Sequence, residues 1–178
     1  MLKPAQNYVS EIQRKYIEHM YDIDYQWYYG HRGTAIPEID NNNYNTYKFA
    51  SVDKDDNVIG YISCCTNVSA NSCNNLGIMS FDKGNLSFIK DVKQAIDDIF
   101  FKYNFNRLDF NCFVGNPALR GYRNFIRKYG GREVGVLRQC NRLMDGKLYD
   151  SVMFEILKEE YRGTVKHQIG VMKNEAVQ

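Results

Sequence analysis

The strongest chemical signal in the sequence is a run of basic residues in its last third. Between Pro117 and Arg142 the chain carries seven Lys or Arg residues and one Glu, whereas the whole chain has a formal charge of only +2. Arg120, Arg123 and Arg127 are spaced by three and four residues, so on a helix they share one face. Because guanidinium donors form a planar fork that matches phosphate, this face is a candidate anion site. The alternatives are a solvated helix face and a patch for RNA or another acidic partner.

Aromatic residues are the second unusual feature, since 14 Tyr, 10 Phe and one Trp make up 14% of the chain. The cluster Trp27, Tyr28 and Tyr29, followed by His31, is a candidate wall of an aromatic pocket, with His31 as a candidate base. The competing interpretation is genome bias, because Tyr, Asn, Lys and Ile are all frequent and all have A/T-rich codons. Most of the rings then belong to the core.

Cysteine and histidine residues show no pattern of a metal centre or of a nucleophilic enzyme. The five cysteines are an odd number, and none of them are spaced as in a zinc ribbon. We therefore expect no metal and no disulfide framework. Free thiols favour a reduced, cytoplasmic compartment.

Hydrophobic periodicity predicts the elements that position these residues. A capping box at Ser10–Gln13 and apolar residues at helical spacing predict a first helix. Asn116-Pro117 and Gly130-Gly131 are start and stop signals of a third helix. A strand–helix–strand run in between predicts two parallel strands, and hence an α/β fold with a mixed sheet. In chain order we predict helix 8–25, strands 47–52, 58–64 and 76–79, helix 86–103, strand 107–114, helix 117–129, and strands 134–138 and 148–157.

Length and composition indicate one domain. A chain of 178 residues with 44% hydrophobic and 25% charged residues is ordinary for a globular protein. The near-neutral charge excludes a polybasic nucleic-acid binder, and no apolar run reaches the ~18 residues of a membrane span. The first residues lack the apolar core of a signal peptide. We expect a single domain over 1–178 with a mobile tail at 161–178, a monomer or homodimer, and neither membrane nor nucleic acid as partner.

The ordered motifs from strand 107–114 onward resemble the GNAT superfamily of acetyl-CoA-dependent N-acetyltransferases, and the resemblance covers residues 47–160. In the branch it resembles, a strand ends at an Asn, and a helix then closes with a Lys-x-Gly-Phe-like motif. A Gly-x-x-Arg-like element and a hairpin with a Tyr-Asp pair follow. The matching residues here are Asn116, Lys128-Tyr129-Gly130-Gly131 (with Gly131 where Phe is usual), Gly135 to Arg138, and Tyr149-Asp150.

The resemblance implies a GNAT-like mixed sheet, flanked by helices and partly splayed between strands 76–80 and 107–114. It also implies acetyl-CoA as co-substrate, with pantetheine in the opening and pyrophosphate on the N-terminus of the helix that begins at Leu86. Unpaired N–H groups and the helix dipole favour an anion there. The cofactor-binding residues implied are Met79, Ser80, Phe81, Lys83, Gly84, Asn85, Leu86, Ser87, Asn116, Arg120 and Arg123.

The loop before this helix departs from the Gln/Arg-x-x-Gly-x-Gly/Ala pattern of the family. Phe81 replaces the basic or amide residue, and Leu86 replaces the second small residue, where it would crowd a phosphate. Asp82 would repel the phosphate, whereas Lys83 and Ser87 compensate in part. A catalytically inactive GNAT-like module that binds a ligand or peptide is therefore the alternative function.

For chemistry, the resemblance implies direct attack of a primary amine on the thioester, with an acid that protonates the departing thiolate. The family often uses a Tyr four residues before the helix-ending glycine. Ile126 stands at that position, so Tyr122, one turn earlier, is the candidate catalytic residue, against a packed core tyrosine. Asp150 is the candidate that binds the amine, against a structural carboxylate. We expect a small-molecule or peptide amine to lie against residues 27–31 and the Tyr149-Asp150 hairpin.

Overall fold

The computed structural model describes residues 1–28, 36–39 and 45–163, and these ranges form a sheet of seven strands with three α-helices. The elements are β1 (Leu2–Pro4), α1 (Val9–Glu18), β2 (Thr46–Val52), β3 (Val58–Asn67), β4 (Ser72–Ser80), α2 (Leu86–Asp97), β5 (Arg107–Phe113), α3 (Leu119–Tyr129), β6 (Arg132–Arg142) and β7 (Leu148–Leu157). Two 3-10 helices flank α1, at Ala5–Tyr8 and Ile23–Tyr28, and α2 continues as a π-helical turn over Asp98–Lys102.

The strand order is β1-β2-β3-β4-β5-β7-β6. The pair β4–β5 is parallel, and the other neighbouring pairs are antiparallel. The predicted α/β class with a mixed sheet is confirmed, and so is the predicted order of helices and strands after the first helix. The three-residue β1 was not predicted, because so short a strand carries no periodicity.

The predicted start of the first helix at residue 8 agrees with α1 to within one residue, whereas the predicted capping box and the predicted end at residue 25 are wrong. The 3-10 helix Ala5–Tyr8 runs directly into α1, so Ser10 lies inside the helix and the capping box does not form. The helix ends at Glu18 rather than at residue 25. The chain turns there because the ring of His19 stacks on that of Tyr25, with 4.0 Å between the ring centroids.

Side chains of β2 alternate between the two faces of the sheet. Ala50 and Val52 pack with Ile12 of α1 in one buried cluster. Tyr47 and Phe49 pack against the larger cluster, which includes residues of α2 and α3. Accordingly, α1 lies on one face of the sheet, and α2 and α3 lie on the other.

Helix α2 packs the ring of Phe88 against Gly60 of β3. A Cβ atom at this position would lie 2.1 Å from Cε2 of Phe88. Because Gly60 pairs with Ser80 at the end of β4, this contact also fixes the place where the loop between β4 and α2 begins.

The parallel strands β4 and β5 separate soon after they meet. In the described part of the chain their pairing is confined to Ser72 with Arg107 and Cys73 with Leu108. Directly beyond this point β4 carries one residue more than β3, and Asn75 has a left-handed φ of 53°. A bulge bends the strand that carries it, so β4 turns away from β5. The predicted splay of the sheet is therefore present, and the bulge is its local cause.

Candidate functional site

The 3-10 helix Ile23–Tyr28 lies across the open end of the splayed strands, and we call it the bridging helix. On the β4 side, the buried Tyr25 packs against Met79, and the ring centroids of Tyr25 and Tyr28 are 5.5 Å apart. Tyr28 also forms a hydrogen bond with the backbone of Ser80, and burial raises its pKa above the usual value. The bridging helix is thus anchored on the last residues of β4.

The other anchor of the bridging helix is Trp27, which lies beside the ends of β5 and β7. Its indole contacts the phenol ring of Tyr149 edge-on, with 5.4 Å between the ring centroids. A Cβ atom on Gly115 would lie 3.2 Å from the indole and 3.7 Å from the Tyr149 ring, and Gly115 has a φ of 99°. The predicted acceptor wall therefore has two of its members, Trp27 and Tyr149, in contact. Tyr29 and His31 lie outside the described residues.

Tyr122 of α3 packs against the β5 and β7 strands of the sheet. Its ring lies 5.4 Å from that of Phe110 and 6.3 Å from that of Phe154. Burial raises the pKa of Tyr122 well above its usual range, and the neighbouring Cys112 and Tyr28 act in the same direction. A phenol this weak as an acid keeps its proton and can act as a hydrogen-bond donor to an anion. Tyr122 is therefore packed against the core and lies close to Tyr28 of the bridging helix, and its catalytic role stays a prediction.

Cys112 of β5 is an electrostatic neighbour of Tyr122. Burial raises its pKa to about 12. Since the thiolate is the reactive form of cysteine, Cys112 stays protonated and unreactive at neutral pH.

In the loop between β4 and α2, the Asn85 side chain occupies the position at the helix N-terminus where an anion would bind. The Oδ1 atom of Asn85 accepts hydrogen bonds from the N–H groups of Ser87 at 2.9 Å and Phe88 at 3.2 Å. Its Nδ2 atom donates to Oδ2 of Asp82 at 2.7 Å. Two of the donors that a pyrophosphate would use are therefore occupied by an N-cap, and an anion must displace the Asn85 side chain to reach them.

The other loop residues differ in how far they face solvent. Leu86 is 72% exposed, and no atom lies within 4 Å of the place where a Cβ on Gly84 would stand. The ring of Phe81 packs edge-on against Tyr16 of α1 at 5.7 Å. Packing against α1 therefore explains why Phe81 stands where the family pattern has a basic or amide residue. The rotamer of the exposed Leu86 side chain decides whether it crowds a phosphate at this loop.

The basic face of α3 is partly neutralised. Arg123 forms a two-pronged hydrogen bond with Glu133 of β6, at 2.7 and 3.2 Å. Within the described ranges, no ion pair involves Arg120. Asn116 precedes α3 by three residues, and its Oδ1 accepts from the N–H of Ala118 at 2.9 Å. Asn116 therefore shapes the turn before the helix, whereas Arg120 keeps its charge available to an anion.

Asp150 of β7 supports the neighbouring strand. Its Oδ1 accepts from the N–H of Gln139 at 2.8 Å, and Gln139 has a left-handed φ of 49° in a bulge of β6. Backbone bulges of this kind need a side-chain partner for the unpaired N–H. The carboxylate therefore has a structural contact, and one oxygen remains for a ligand.

A pair of variants separates the structural from the binding role of Asp150. In Asp150→Asn the amide oxygen still accepts from Gln139, whereas Asp150→Ala removes the acceptor. We expect Asp150→Ala to lower the free energy of unfolding by about 1 kcal/mol, and Asp150→Asn to stay close to wild type. Urea unfolding measures both values. Equal instability of the two variants would show that the charge, and not the hydrogen bond, supports the bulge.

Sequence reasoning missed two residues that shape the site. Asn75 creates the splay, and the pair Asn74-Asn75 inside a strand is a signal for a left-handed residue, since Asn adopts this conformation more readily than most residues. Asp24 forms an ion pair with Lys83, and no spacing rule connects residues so far apart in the chain.

The described residues form neither a membrane-spanning helix nor a metal-binding cluster. No helix there is long and apolar enough to cross a membrane. Those residues also contain no group of three or more His, Cys, Asp or Glu side chains placed to hold a metal ion.

Solved structures of acetyltransferases share this fold. A chimera of spermidine N-acetyltransferase SpeG from Vibrio cholerae and hSSAT superposes with a TM-score of 0.65 at 16% identity, over 90% of this chain and 97% of that one. A proposed acetyltransferase from T. thermophilus superposes with a TM-score of 0.62 at 22% identity, over 89% and 86% of the two chains. Mutant forms of the spermidine/spermine N-acetyltransferase SpeG from Vibrio cholerae give 0.59 at 20% identity, over 82% and 72%. No family model and no curated protein matches the chain. The predicted GNAT fold is confirmed.

Proposed function

We propose that the protein is an N-acetyltransferase that transfers the acetyl group of acetyl-CoA to a primary amine. The observation that carries this proposal is the divergence of β4 from β5 after the Asn75 bulge. Residues 74–80 of β4 have no ladder partner on β5 in the described chain. An extended ligand with amide groups, such as pantetheine, can add to this edge as another strand would. The fold shared with acetyltransferases supports the same function.

The chemistry is a direct transfer without a covalent enzyme intermediate. The amine nitrogen attacks the thioester carbonyl carbon, a C–N bond forms, and the C–S bond breaks. One proton leaves the amine through a base or water path, and one proton reaches the departing thiolate to give the free thiol of CoA. Tyr122 donates a hydrogen bond to the developing thiolate. The protonated Cys112 does not compete as a nucleophile.

The phosphate groups of the co-substrate are assigned to cationic and hydroxyl side chains at the two helix starts. Lys83 lies in the loop before α2, Ser87 lies in the first turn of α2, and Arg120 lies in the first turn of α3. Binding at α2 requires Asn85 to give up its two backbone hydrogen bonds. On the family resemblance we also assign seven further residues to the co-substrate: Met79, Ser80, Phe81, Gly84, Leu86, Asn116 and Arg123.

The acceptor is assigned to the space beside Trp27, Tyr149 and Asp150. Aromatic faces attract ammonium groups, so this corner suits a small-molecule or peptide amine. Because the SpeG structures carry the names of spermidine and spermine acetyltransferases, these two polyamines are the first acceptors to test. We place the reaction in the cytoplasm, in a monomer or homodimer, with reduced cysteines.

Thermal unfolding with excess acetyl-CoA tests the proposal. A ligand at ~100 times its dissociation constant adds about 2.7 kcal/mol to the free energy of unfolding. For a chain of this size we expect Tm to rise by about 5–11 °C. ATP at the same concentration is the control for unspecific anion binding. If neither CoA, acetyl-CoA nor longer acyl-CoAs raise Tm more than ATP does, the proposal is wrong.

The N-cap formed by Asn85, together with Ile126 at the usual tyrosine position, favours the inactive binding module as the second candidate. A thiol-release assay with a panel of amines separates the two functions. Release of CoA thiol that depends on an amine supports the transferase. A rise in Tm without thiol release for any amine supports the binding module.

A further inference from the structure

One ion pair connects the loop before α2 with the bridging helix. The Nζ atom of Lys83 lies 3.0 Å from Oδ2 of Asp24, and 4.7 Å from the ring centroid of Tyr25. The two charged residues are 59 positions apart in the chain. Asp24 raises the pKa of Lys83, so the ammonium group stays charged. The same side chain therefore belongs to the loop assigned to phosphate and holds the helix assigned to the acceptor.

We propose that Lys83 is a positioning residue, which holds the bridging helix against the end of β4 until an anionic ligand draws its ammonium group away from Asp24. The inference rests on the proposed function, because the phosphates of CoA are the anion in question. An anion at the loop and the carboxylate of Asp24 compete for one positive charge. Binding of the anion therefore weakens the attachment of the bridging helix.

Beside its anchors, the bridging helix has one unfavourable position, at Gln26. Gln26 is 7% exposed, and its buried Oε1 atom has no hydrogen-bond partner among the described residues. An unpaired buried carbonyl oxygen destabilises the position that buries it. Tyr28 is held by its hydrogen bond with the Ser80 backbone, and Trp27 by its contact with Tyr149. Loss of the Lys83–Asp24 pair thus acts on a helix that buries a carbonyl oxygen without a partner in the described part of the chain.

The strength of the coupling is bounded by the exposure of the pair. The side chains of Lys83 and Asp24 are 52% and 71% exposed, so water screens their attraction. Exposed pairs of this kind contribute little, which limits the coupling to about two- to fivefold in affinity. Since Trp27 lies on the same helix and contacts Tyr149, a change in the attachment of the helix on anion binding reaches the acceptor wall.

A double-mutant cycle tests the proposal, with the dissociation constant of CoA as the measured quantity. We expect Asp24→Asn to tighten CoA binding about two- to fivefold, because Lys83 no longer has a competing partner. Lys83→Met weakens binding, and adding Asp24→Asn to Lys83→Met changes nothing further. Glu159→Gln is the control of equal charge: Glu159 is exposed in the turn after β7, at the opposite end of the sheet, and this variant keeps the wild-type affinity.

Fluorescence of Trp27, the single Trp of the chain, supplies a second readout. Without ligand, Lys83→Met shifts the emission of Trp27 toward that of the wild-type complex with CoA. Unchanged emission in this variant overturns the proposal, and so does tightening by Asp24→Asn that persists in the Lys83→Met background. If CoA binds to wild type and Asp24→Asn has no effect, this inference alone fails. If CoA binds to no variant, the proposed function fails together with it.

Discussion

Replacing Tyr122 with Phe is expected to lower kcat about 100-fold, while KM for acetyl-CoA and for the amine changes little. A hydrogen bond to a charged group contributes about 1.5–3 kcal/mol, and each 1.36 kcal/mol corresponds to a factor of ten in rate. The bond is made mainly when charge develops on sulfur, so its loss appears in kcat. The Phe ring keeps the contacts with Phe110 and Phe154, so Tm stays near the wild-type value. Steady-state kinetics with a thiol-release readout measures the effect.

Tyr129→Phe is the matched control for this variant. Tyr129 lies at the end of the same helix and packs against Phe125 rather than against the sheet beside the site. We expect it to retain the wild-type kcat. Equal losses in the two variants, or no loss in Tyr122→Phe, would contradict the assignment of Tyr122 to the thiolate.

The raised pKa of Tyr122 sets the expected pH dependence. Because burial lifts the pKa of the folded protein above the ~10 of an unfolded tyrosine, the hydroxyl remains a donor up to at least that pH. Ionisation of Tyr122 therefore causes no decline of kcat below pH ~10. Its contribution to stability is fully present below ~10 and is lost as the pH rises through the folded pKa, since only the unfolded state then ionises.

Gly60→Ala is expected to lower the free energy of unfolding by about 3 kcal/mol, through overpacking between β3 and α2. The new methyl group would lie 2.1 Å from Cε2 and 2.4 Å from Cδ2 of Phe88, so the helix or the ring must shift. For a chain of this size Tm falls by about 6–12 °C. Since Gly60 pairs with Ser80, displacement of α2 also disturbs the loop assigned to phosphate and weakens CoA binding.

Two further variants show whether the close contact is the cause. Gly135→Ala places a methyl group on a strand where no atom lies within 4 Å, and we expect it to be neutral. Gly60→Ala combined with Phe88→Leu removes the ring edge and recovers part of the lost stability. Wild-type stability of Gly60→Ala alone would mean that the ring moves aside freely.

Strongly periodic segments could be predicted from the sequence because their pattern reports burial directly. Helix α2 and strands β5 and β7 have one apolar side each, and they lie where the periodicity indicates. The end of α1 could not be predicted in this way, because Met20 and Ile23 continue the helical spacing after the helix has stopped at Glu18. The stacking of His19 on Tyr25 decides that end, and it is a tertiary contact.

The candidate site, like the fold, has features that could be predicted from the sequence and features that could not. The position of the splay could be predicted from the family resemblance, and the side-chain partners at its mouth could not. Asn85 directly before α2 is a residue type that prefers the N-cap, so its bonds to Ser87 and Phe88 were accessible to sequence reasoning. The pairing of Lys83 with Asp24 depends on the path of the chain between α1 and β4, which no local pattern contains.

The Asn75 bulge has a consequence for how freely the sequence can change. In the proposed function, a cleft that is opened by backbone geometry binds its ligand through peptide groups, and such a cleft makes few demands on the side chains along its walls. Substitutions can then accumulate there while the architecture persists, in keeping with 16–22% identity to chains of the same fold. The demand concentrates at position 75, where a φ of 53° favours Asn or Gly. Acyl and acceptor preference can therefore diverge between proteins of this shape without rebuilding the sheet.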